Sequence, residues 1–476
     1  MKIEVPRELG VGVVYMPTLA GVLDLDLVDV IEVEPQAFWQ TTDDPAAPLR
    51  IDMKLFSDLR AMPQHKLVHS VSLPVGNSRP HDPRALELLR RSITALDAPY
   101  ASEHLSFNRF DDGAERHWTG FLLPPVQDQH GVDNAASRID EMRRAVGVPV
   151  AFETGVNYLR PQPGELSDGV FVRKVAEAAD CGVLLDLHNL LTNERNGRAP
   201  LRAVFDEIPR ERVWEIHLAG GREYRGYWLD SHSSHIEDDL FSMARAVVGE
   251  CPNLRAIIFE ILDDYIDERS GDALREDVRR LRCLWNERAR TPLVSVRQPL
   301  QPTRSQASPP ASVQRREQTL GALALGRLPH DPEPGVAGDP AAALYADLVA
   351  SMRETALYNR VPFLVRLLFV SIGRQATLDL IAAFSSQAPP EPFGAEAQHF
   401  TVYVRTLDLT APYLGEILDL EDAMIEAFRT LGDRCVTFEC DAASLLGALA
   451  VTRHPGPLAR ERCIVNVSAA GIHFRR

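Results

Sequence analysis

The sequence predicts an α/β protein in which a (β/α)8 TIM barrel is followed by a Pro/Ser-rich linker and a mainly α-helical C-terminal domain. Three observations support this prediction: eight short apolar stretches within the first 265 residues, helix-length segments between most of them, and a change of composition after residue 290. Strands of a parallel sheet are buried on both faces and therefore read as continuous apolar runs. Eight β/α units in this length match the usual barrel size of about 250 residues.

Each apolar stretch has the length of a strand, and helix-length segments such as 83–96, 135–146 and 167–179 lie between them. A final helix is expected near 274–289. This β-then-α alternation is the pattern of a parallel barrel. The eight stretches occupy residues 11–16, 28–35, 66–73, 100–107, 148–155, 182–190, 212–220 and 256–264.

The composition is that of an ordinary globular chain. Its 476 residues carry a formal net charge of −16, with 45% hydrophobic and 25% charged residues. No apolar run reaches the roughly 18 residues of a membrane span, and the N-terminus lacks the apolar segment of a secretory signal. The six cysteines have no ligand-like spacing. We therefore expect a cytoplasmic protein without membrane contact, and the acidic charge argues against nucleic-acid binding.

The composition divides the chain into three parts. Residues 1–290 form the predicted metal-binding catalytic barrel, and residues 291–340, rich in Pro, Ser, Gln and Gly, form a predicted flexible linker. Residues 341–476 form a predicted helical accessory domain, because helical periodicity returns at 342–359, 363–384 and 411–431. Short strand-like runs at 463–467 and 471–474 end the chain.

Ionisable residues stand near the C-terminal end of every apolar stretch except the first. Barrel enzymes place their chemistry at this end of the strands, so these side chains are expected to converge at the barrel mouth. The candidates are Glu32, Glu34, His69, Glu103, His104, Glu153, Asp186, His188, Asn189, Glu215, His217 and Glu260.

Each candidate also has a simpler interpretation. Taken alone, His69 or His104 is more often a hydrogen-bonded core histidine than a ligand. Glu153 and Glu260 are harder to explain this way, because a carboxylate at the end of a buried strand is costly unless it is paired or metal-bound. The recurrence of such residues on successive strand ends predicts a polynuclear metal site.

Two D-x-H pairs strengthen the metal prediction. Asp186 and His188 are two residues apart, so on a strand both would face the same side, and Asn189 would lie where the strand gives way to its loop. Asp230 and His232 repeat the spacing after the seventh stretch. Imidazole and carboxylate ligands without thiolate favour iron, manganese or zinc.

The combined string of motifs resembles the multinuclear non-haem iron-dependent oxidases, over roughly residues 1–285. The resemblance implies a TIM barrel that holds two or three irons in mixed Fe(II)/Fe(III) states and uses dioxygen as co-substrate. It also implies oxidation of a ribosomally synthesised precursor peptide, often at cysteine. The matching segments are His69, SEH at 102–104, FE at 152–153, DLHN at 186–189, EIHLAG at 215–220, DSH at 230–232 and FE at 259–260.

The resemblance also implies roles for single residues. His69 and His104 would bind one iron, and Glu153 would bridge it to a second iron, which Asp186, His217 and Glu260 would complete. Asn189, Asp230 and His232 would form the third set. His188 stands where other members have Asn, so ligand, substrate contact and supporting roles all stay open. For Glu32, Glu34, Glu103 and Glu215, orienting a histidine or contacting substrate is the more usual role. No catalytic side chain beyond the metal ligands is expected.

Other functions stay open at this stage. Three-metal barrel endonucleases share much of this ligand order, with zinc in place of iron and a further His in the position of Asn189. Asn is a poor zinc ligand, and the net charge of −16 disfavours DNA. A metal-dependent sugar isomerase would call for a Lys near the site, and a non-catalytic binding module is a further alternative.

The accessory domain has two interpretations. The segments 400–406 and 413–428 resemble, weakly, the helical part of partner proteins that present precursor peptides to these oxidases. A peptide-recognition protein would then be fused to the enzyme rather than separate from it. The alternative is an unrelated helical or dimerisation domain. In the first case, deletion of residues 341–476 would leave iron bound but weaken peptide modification.

Overall fold

The structure, a computed structural model, describes residues 6–42, 49–113, 115–266, 270–288, 311–388, 395–430, 432–468 and 471–475. Sixteen strands occur in these ranges: β1 Gly10–Val14, β2 Val30–Val33, β3 Trp39–Thr41, β4 Leu49–Ile51, β5 His65–Ser70, β6 Ala101–His104, β7 Phe107–Asp111, β8 Arg116–Leu123, β9 Val150–Glu153, β10 Gly182–Asp186, β11 Val213–Tyr224, β12 Tyr227–Ser234, β13 Ala256–Glu260, β14 Arg434–Phe438, β15 Cys463–Ser468 and β16 Gly471–Arg475.

The same ranges contain seventeen α-helices and four short 3-10 turns. The helices are α1 Pro17–Val22, α2 Met53–Ala61, α3 Pro83–Leu96, α4 Gln129–Val146, α5 Asp168–Ala179, α6 Leu187–Arg195, α7 Leu201–Glu207, α8 Asp238–Val248, α9 Gly271–Glu287, α10 Ala311–Ala324, α11 Pro334–Ala337, α12 Ala341–Arg360, α13 Pro362–Ser371, α14 Arg374–Gln387, α15 Ala395–Arg405, α16 Leu414–Thr430 and α17 Ala442–Ala450.

Eight parallel strands close into a barrel, which confirms the predicted fold class. Their spatial order β1-β2-β5-β6-β9-β10-β11-β13 is also their order along the chain, and pairing of β13 with β1 closes the ring. Each predicted apolar stretch overlaps one of these strands. Residues of β1, β2, β9, β10 and β13 are buried throughout, as expected for strands covered on both faces.

The predicted barrel helices form where the sequence supplies caps and an apolar stripe. In α3, the Asp82 side chain accepts a hydrogen bond from the backbone N–H of Arg84, and Pro83 occupies the first turn. Leu86, Leu89 and Ile93 lie on one face of the helix and are buried against the barrel. Asp97 ends the helix in the left-handed conformation.

The predicted linker is partly helical. Residues 289–310 lie outside the described residues, so their flexibility stays a prediction, but residues 311–340 include α10 and α11, which pack against the barrel. Leu320 is fully buried, and Arg316, 1% exposed, pairs with Glu165 and Glu333. The composition of this segment does not indicate a helix, because the apolar stripe of α10 is short. Packing stabilises this helix, rather than the intrinsic helix propensity of its residues.

The described residues between 341 and 475 are mainly helical, with a three-stranded antiparallel sheet in the order β14-β15-β16. The helices predicted at 342–359 and 411–431 correspond to α12 and α16. The stretch predicted as one helix at 363–384 is two, α13 and α14, because Gly373 adopts φ of +90°. Leu364, Leu368, Phe400 and Phe438 lie in the core of this region.

Helix α12 belongs to two apolar cores. Near its C-terminal end, Leu357 packs in the core of the C-terminal region. Earlier in the helix, Leu344, Tyr345 and Val349 pack with barrel-loop residues, among them Leu229. In the described part of the chain, no helix is both long enough and apolar enough to cross a bilayer.

Candidate metal centre

The predicted ligands converge at the C-terminal mouth of the barrel. Within the described residues, four overlapping groups bring three ligand atoms within 4.8 Å of one another. Eight parallel strands with their carboxyl ends at one rim produce this convergence, because residues at equivalent heights on neighbouring strands face the same cavity. The groups are His69/His104/Glu153, Glu153/Asp186/His217, Asp186/His232/Glu260 and Glu32/Glu215/His217.

The first group stands on three adjacent strands, β5, β6 and β9. His69 Nε2 and His104 Nε2 are 3.0 Å apart, and Glu153 Oε2 lies 2.8 Å from His104 Nδ1 and 3.2 Å from His69 Nε2. Ser102 Oγ lies 2.8 Å from His69 Nδ1, which directs Nε2 of that ring into the cavity. These three side chains could hold one cation.

Glu153 and Asp186 connect this group to the rest of the centre. Glu153 is shared between the first and second groups, and Asp186 between the second and third. Glu260 Oε2 lies 3.3 Å from His217 Nδ1, while its Oε1 lies 2.9 Å from His232 Nδ1. Shared carboxylates suit a centre in which neighbouring cations are bridged, because the bridging charge offsets their mutual repulsion.

The surroundings of Asp186 differ from the sequence-based expectation. β10 ends at Asp186 and α6 begins at once, so His188 and Asn189 lie in its first turn and not on a strand or in a loop. Asp186 Oδ1 accepts a 2.7 Å hydrogen bond from the Asn189 N–H and thus caps this helix. The i, i+2 strand argument for Asp186 and His188 is therefore wrong.

Asn189 still reaches the centre, since residues three apart lie on one side of a helix. Its Nδ2 donates to Glu153 Oε1 at 3.2 Å, and its Oδ1 has no hydrogen-bond partner among the described residues. His188 is fully buried, with Nε2 3.7 Å from Asp230 Oδ1. Burial is the main reason why the pKa of His188 falls to about 4, which keeps the imidazole neutral and able to act as a ligand.

Asp230 and His232 come from β12, which forms an antiparallel hairpin with the extended end of β11. His232 Nε2 lies 2.7 Å from Asp230 Oδ1. His232 has φ of +43°, a left-handed conformation that costs about 1–3 kcal/mol in a non-glycine residue. The hairpin packing therefore imposes the orientation of this imidazole.

Glu32 and Glu215 lie deeper in the barrel. Glu32 Oε1 is 3.0 Å from His217 Nε2, and Glu215 Oε1 is 3.7 Å from the same atom. Tyr100 donates a 3.1 Å hydrogen bond to Glu215 Oε2. Burial raises the pKa of Glu215 to about 8, with a further contribution from the charge of Glu32. These two carboxylates therefore face His217 from below, where they can orient it or take part in a fourth ligand group.

The remaining two glutamates have separate positions. Glu103 Oε2 accepts hydrogen bonds from Ser70 Oγ at 2.5 Å and from the Leu73 N–H at 2.9 Å, so its carboxylate is used in holding the loop after β5. Glu34 is half-buried at the mouth. Burial, together with the charge of Glu260, raises the pKa of Glu34 to about 7.

The donor set fits a cluster of cations. Buried carboxylate and imidazole atoms without hydrogen-bond partners are costly, and several converge here. Glu153 Oε2 is such an atom. His104 Nδ1 lies only 2.8 Å from it, but neither His69 nor His104 directs an N–H at this oxygen in hydrogen-bond geometry. Among the described residues, the unpartnered atoms at the centre are both carboxylate oxygens of Glu32, Glu153 Oε2, Asp186 Oδ2, both nitrogens of His188, Asn189 Oδ1, Glu215 Oε1, both nitrogens of His217, Asp230 Oδ1 and His232 Nε2.

The electrostatics also call for positive charge. Burial lowers the pKa of His217, but the nearby carboxylates, chiefly Glu32, raise it well above the ordinary value. Burial disfavours the charged form of Glu153, yet the charge of His104 holds the pKa of Glu153 well below its usual range. Protonated imidazoles or metal cations can supply this charge, and imidazole with carboxylate suits iron, manganese or zinc.

Comparison with known sequences assigns the barrel to one group. The sequence model of a family described as RiPP precursor modification enzyme MbnB/TglH/ChrH matches residues 10–282. A UPF0276 protein of Chromobacterium violaceum is 31% identical over 181 residues, 38% of this chain and 64% of that relative. A UPF0276 protein of Streptomyces avermitilis is 30% identical over 231 residues, 47% of this chain and 45% of that relative. The matches thus span less than two thirds of these relatives.

Two solved structures are similar to this chain at low identity. A D-psicose 3-epimerase from Clostridium cellulolyticum H10 is 12% identical with a TM-score of 0.36, over 55% of this chain and 88% of that chain. A xylose isomerase domain protein from Alicyclobacillus acidocaldarius is 18% identical with a TM-score of 0.37, over 59% and 99%. The barrel itself is defined by the order of its strands and by the pairing of β13 with β1 that closes it.

Proposed function

Because this chain belongs to the RiPP precursor modification enzyme family MbnB/TglH/ChrH, we propose that it is an iron- and dioxygen-dependent oxidase of a ribosomally synthesised precursor peptide, acting at cysteine. The observation that supports this most is the chain of shared carboxylates: Glu153 and Asp186 link three ligand groups into one centre. A mononuclear site would not need side chains common to two groups.

In this proposal the ligands divide into three sets. His69 and His104 hold the first ion, and Glu153 is shared with the second, which Asp186, His217 and Glu260 complete. Asp230 and His232 hold the third ion with Asn189. Iron bound here would supply the redox chemistry with dioxygen. The protein itself supplies position and shielding, since the ligand residues are at most 21% exposed at their side chains.

Supporting residues fix the ligands before substrate arrives. Ser102 orients His69, and Thr154 Oγ1 accepts a 3.0 Å hydrogen bond from the Asp186 N–H. Loss of a hydrogen bond that supports a ligand commonly lowers metal affinity by about 10- to 100-fold. His104 and Asp230, at 15% and 21% side-chain exposure, mark the side from which a peptide can approach.

The accessory region forms part of this proposal. We propose that residues 341–476 act as a fused peptide-presenting module, on the basis of their helical architecture and the resemblance of segments 400–406 and 413–428 to such partner proteins. Their packing against the barrel-mouth loops through α12 supports this role. Peptide recognition and chemistry would then be joined in one chain.

The test combines metal analysis with a peptide assay. The full chain is purified without oxygen, its iron is quantified, and Mössbauer spectra are recorded. Cysteine-containing peptides encoded beside the gene are then incubated with enzyme and dioxygen and analysed by mass spectrometry. Iron at two or three ions per chain with a dioxygen-dependent mass change supports the proposal. Tight zinc with phosphodiester cleavage, or turnover by a Glu153→Ala control, overturns it.

A further inference from the structure

A chain of two tyrosines links the accessory helix to the metal centre. The Tyr158 N–H donates a 3.1 Å hydrogen bond to Tyr345 Oη, and the Asp230 N–H donates a 3.1 Å hydrogen bond to Tyr158 Oη. Tyr345 lies in α12, Tyr158 in the loop after β9, and Asp230 in β12. Three segments distant in sequence therefore meet through two phenolic oxygens.

Both tyrosines are enclosed. Tyr345 is 1% exposed and Tyr158 is 5% exposed, and their ring centroids are 5.5 Å apart at an interplanar angle of 63°. Tyr227 packs edge-on against Tyr158 at 6.2 Å. A buried backbone N–H that loses its acceptor is costly, so each hydroxyl fixes the amide from which it accepts.

The amide held by Tyr158 belongs to a residue whose side chain faces the centre. The Asp230 carboxylate lies 2.7 Å from His232 Nε2, and His232 keeps a left-handed backbone. Small shifts of the β12 backbone at Asp230 would move both donor groups together. Among the described strands, β12 of this hairpin pairs only with β11, so it lacks the two-sided strand pairing that fixes the ligands on the barrel strands.

We propose that Tyr345 is a positioning residue of the metal centre: through Tyr158 it fixes the backbone at Asp230, so that α12 sets the affinity of the Asp230–His232 position for its ion. This inference rests on the proposed function for the identity of the ion. The hydrogen bonds among Tyr345, Tyr158 and Asp230 do not depend on that function. It gives the accessory region a direct effect on the metal centre in addition to peptide presentation.

The test uses full-length Tyr158→Phe and Tyr345→Phe variants, which keep both rings and remove one acceptor each. Fe(II) is titrated anaerobically into metal-free protein, and Asp230→Asn identifies which binding step belongs to the third position. We expect either Phe variant to weaken that step by up to about tenfold, the effect of one lost hydrogen bond, with the other steps unchanged. Because the tyrosines act in series, the double variant should weaken it no more than Tyr158→Phe alone.

Two variants serve as matched controls. Tyr227→Phe removes a hydroxyl from the same ring cluster, and that hydroxyl makes no hydrogen bond among the described residues. Asp347→Asn breaks the ion pair between α12 and Arg225 at the hairpin tip, an exposed pair expected to contribute little. Neither variant should change the affinity of the third binding step, which is the step that Asp230→Asn identifies. Thermal unfolding of the metal-free proteins separates local positioning from a general loss of stability.

The outcomes distinguish the two proposals. Equal affinity of wild type and Phe variants at the third step overturns the role of Tyr345, whatever the reaction proves to be. A wild-type chain that binds no ion through Asp230 also overturns it. If the chain prefers Zn(II) and oxidises no peptide, the proposed function fails. The same titration with Zn(II) then still decides whether Tyr345 controls the affinity of the Asp230–His232 position for its ion.

Discussion

His104 and Glu153 stand opposite each other in the register of β6 and β9, and His104 Nδ1 lies 2.8 Å from Glu153 Oε2. Parallel pairing of the two strands is enough to create this contact. Glu153 is also within reach of Asp186 and His217, so one carboxylate serves two groups of ligands.

Replacement of Glu153 by Ala should therefore remove more metal than replacement of a terminal ligand. We expect Glu153→Ala to lose two ions per chain and His104→Ala to lose one. Turnover should fall at least about 100-fold in both variants. Even the loss of a residue that only hydrogen-bonds to a ligand lowers metal affinity or activity by about 10- to 100-fold. Metal analysis after desalting measures the difference, and equal losses in the two variants would contradict a bridging role.

Glu103 should act through the loop and not through metal. Its carboxylate accepts from Ser70 and from the backbone N–H groups of Leu73 and His104. Glu103→Gln keeps the shape of the side chain, but its amide nitrogen cannot accept the hydrogen bonds that one carboxylate oxygen accepts. We expect all ions to be retained, with affinity at the His69/His104 position reduced about tenfold. Loss of an entire ion on titration would instead identify Glu103 as a ligand.

Glu317 should make stability depend on pH. Burial raises the pKa of this carboxyl to about 8 from 4.5, although hydrogen bonds from Ser78 oppose the shift. Between these pH values the folded chain keeps a proton that the unfolded chain has lost, so stability decreases as pH rises from 4.5 to 8, by up to a few kcal/mol. Glu317→Gln, which stays neutral, should reduce this decrease. Melting temperatures of metal-free wild type and variant from pH 5 to 8.5 measure it, and parallel curves would refute it.

Deletion of residues 341–476 should do more than separate a peptide-binding module. It removes Leu344, Tyr345 and Val349, which bury Leu229 and neighbouring loop residues of the barrel. We expect the shortened chain to melt at lower temperature and to lose the third ion while keeping the first two. A truncated barrel with full metal content and unchanged turnover would show that α12 has neither role.

Metal removal should destabilise the barrel. The centre concentrates buried carboxylates whose repulsion a cation relieves, and ligand at about 1,000 times its dissociation constant adds about 4 kcal/mol to the stability of the state that binds it. We expect chelated protein to melt several degrees lower and the melting temperature to recover on addition of Fe(II). Glu153→Ala, which lacks the shared ligand, should show a much smaller shift.

Much of this centre could be predicted from local sequence. Apolar runs that end in Glu153 or Glu260 indicate both a buried strand and a carboxylate at its end, because strand burial and side-chain alternation are local properties. Closure of eight such strands brings those ends to one rim. The eight strands and the ionisable residues at their ends could therefore be predicted from local pattern.

Other features depended on contacts between distant segments. Asp186 caps a helix that begins at once, which placed His188 and Asn189 on a helical turn instead of a strand and loop. Helix α10 forms in a segment whose composition predicts a linker, because the barrel surface covers its apolar stripe.

The sequence by itself determined the barrel and the identity of the donor groups, since each depends on periodicity within a few residues. Tertiary structure alone decided that hydrogen bonds connect Tyr345 to Tyr158 and Tyr158 to Asp230, and that Glu32 faces His217 from below. Those relationships join residues that lie between 72 and 187 positions apart along the chain. They exist only once folding has offset the entropy of closing the intervening loops, and no local pattern encodes them.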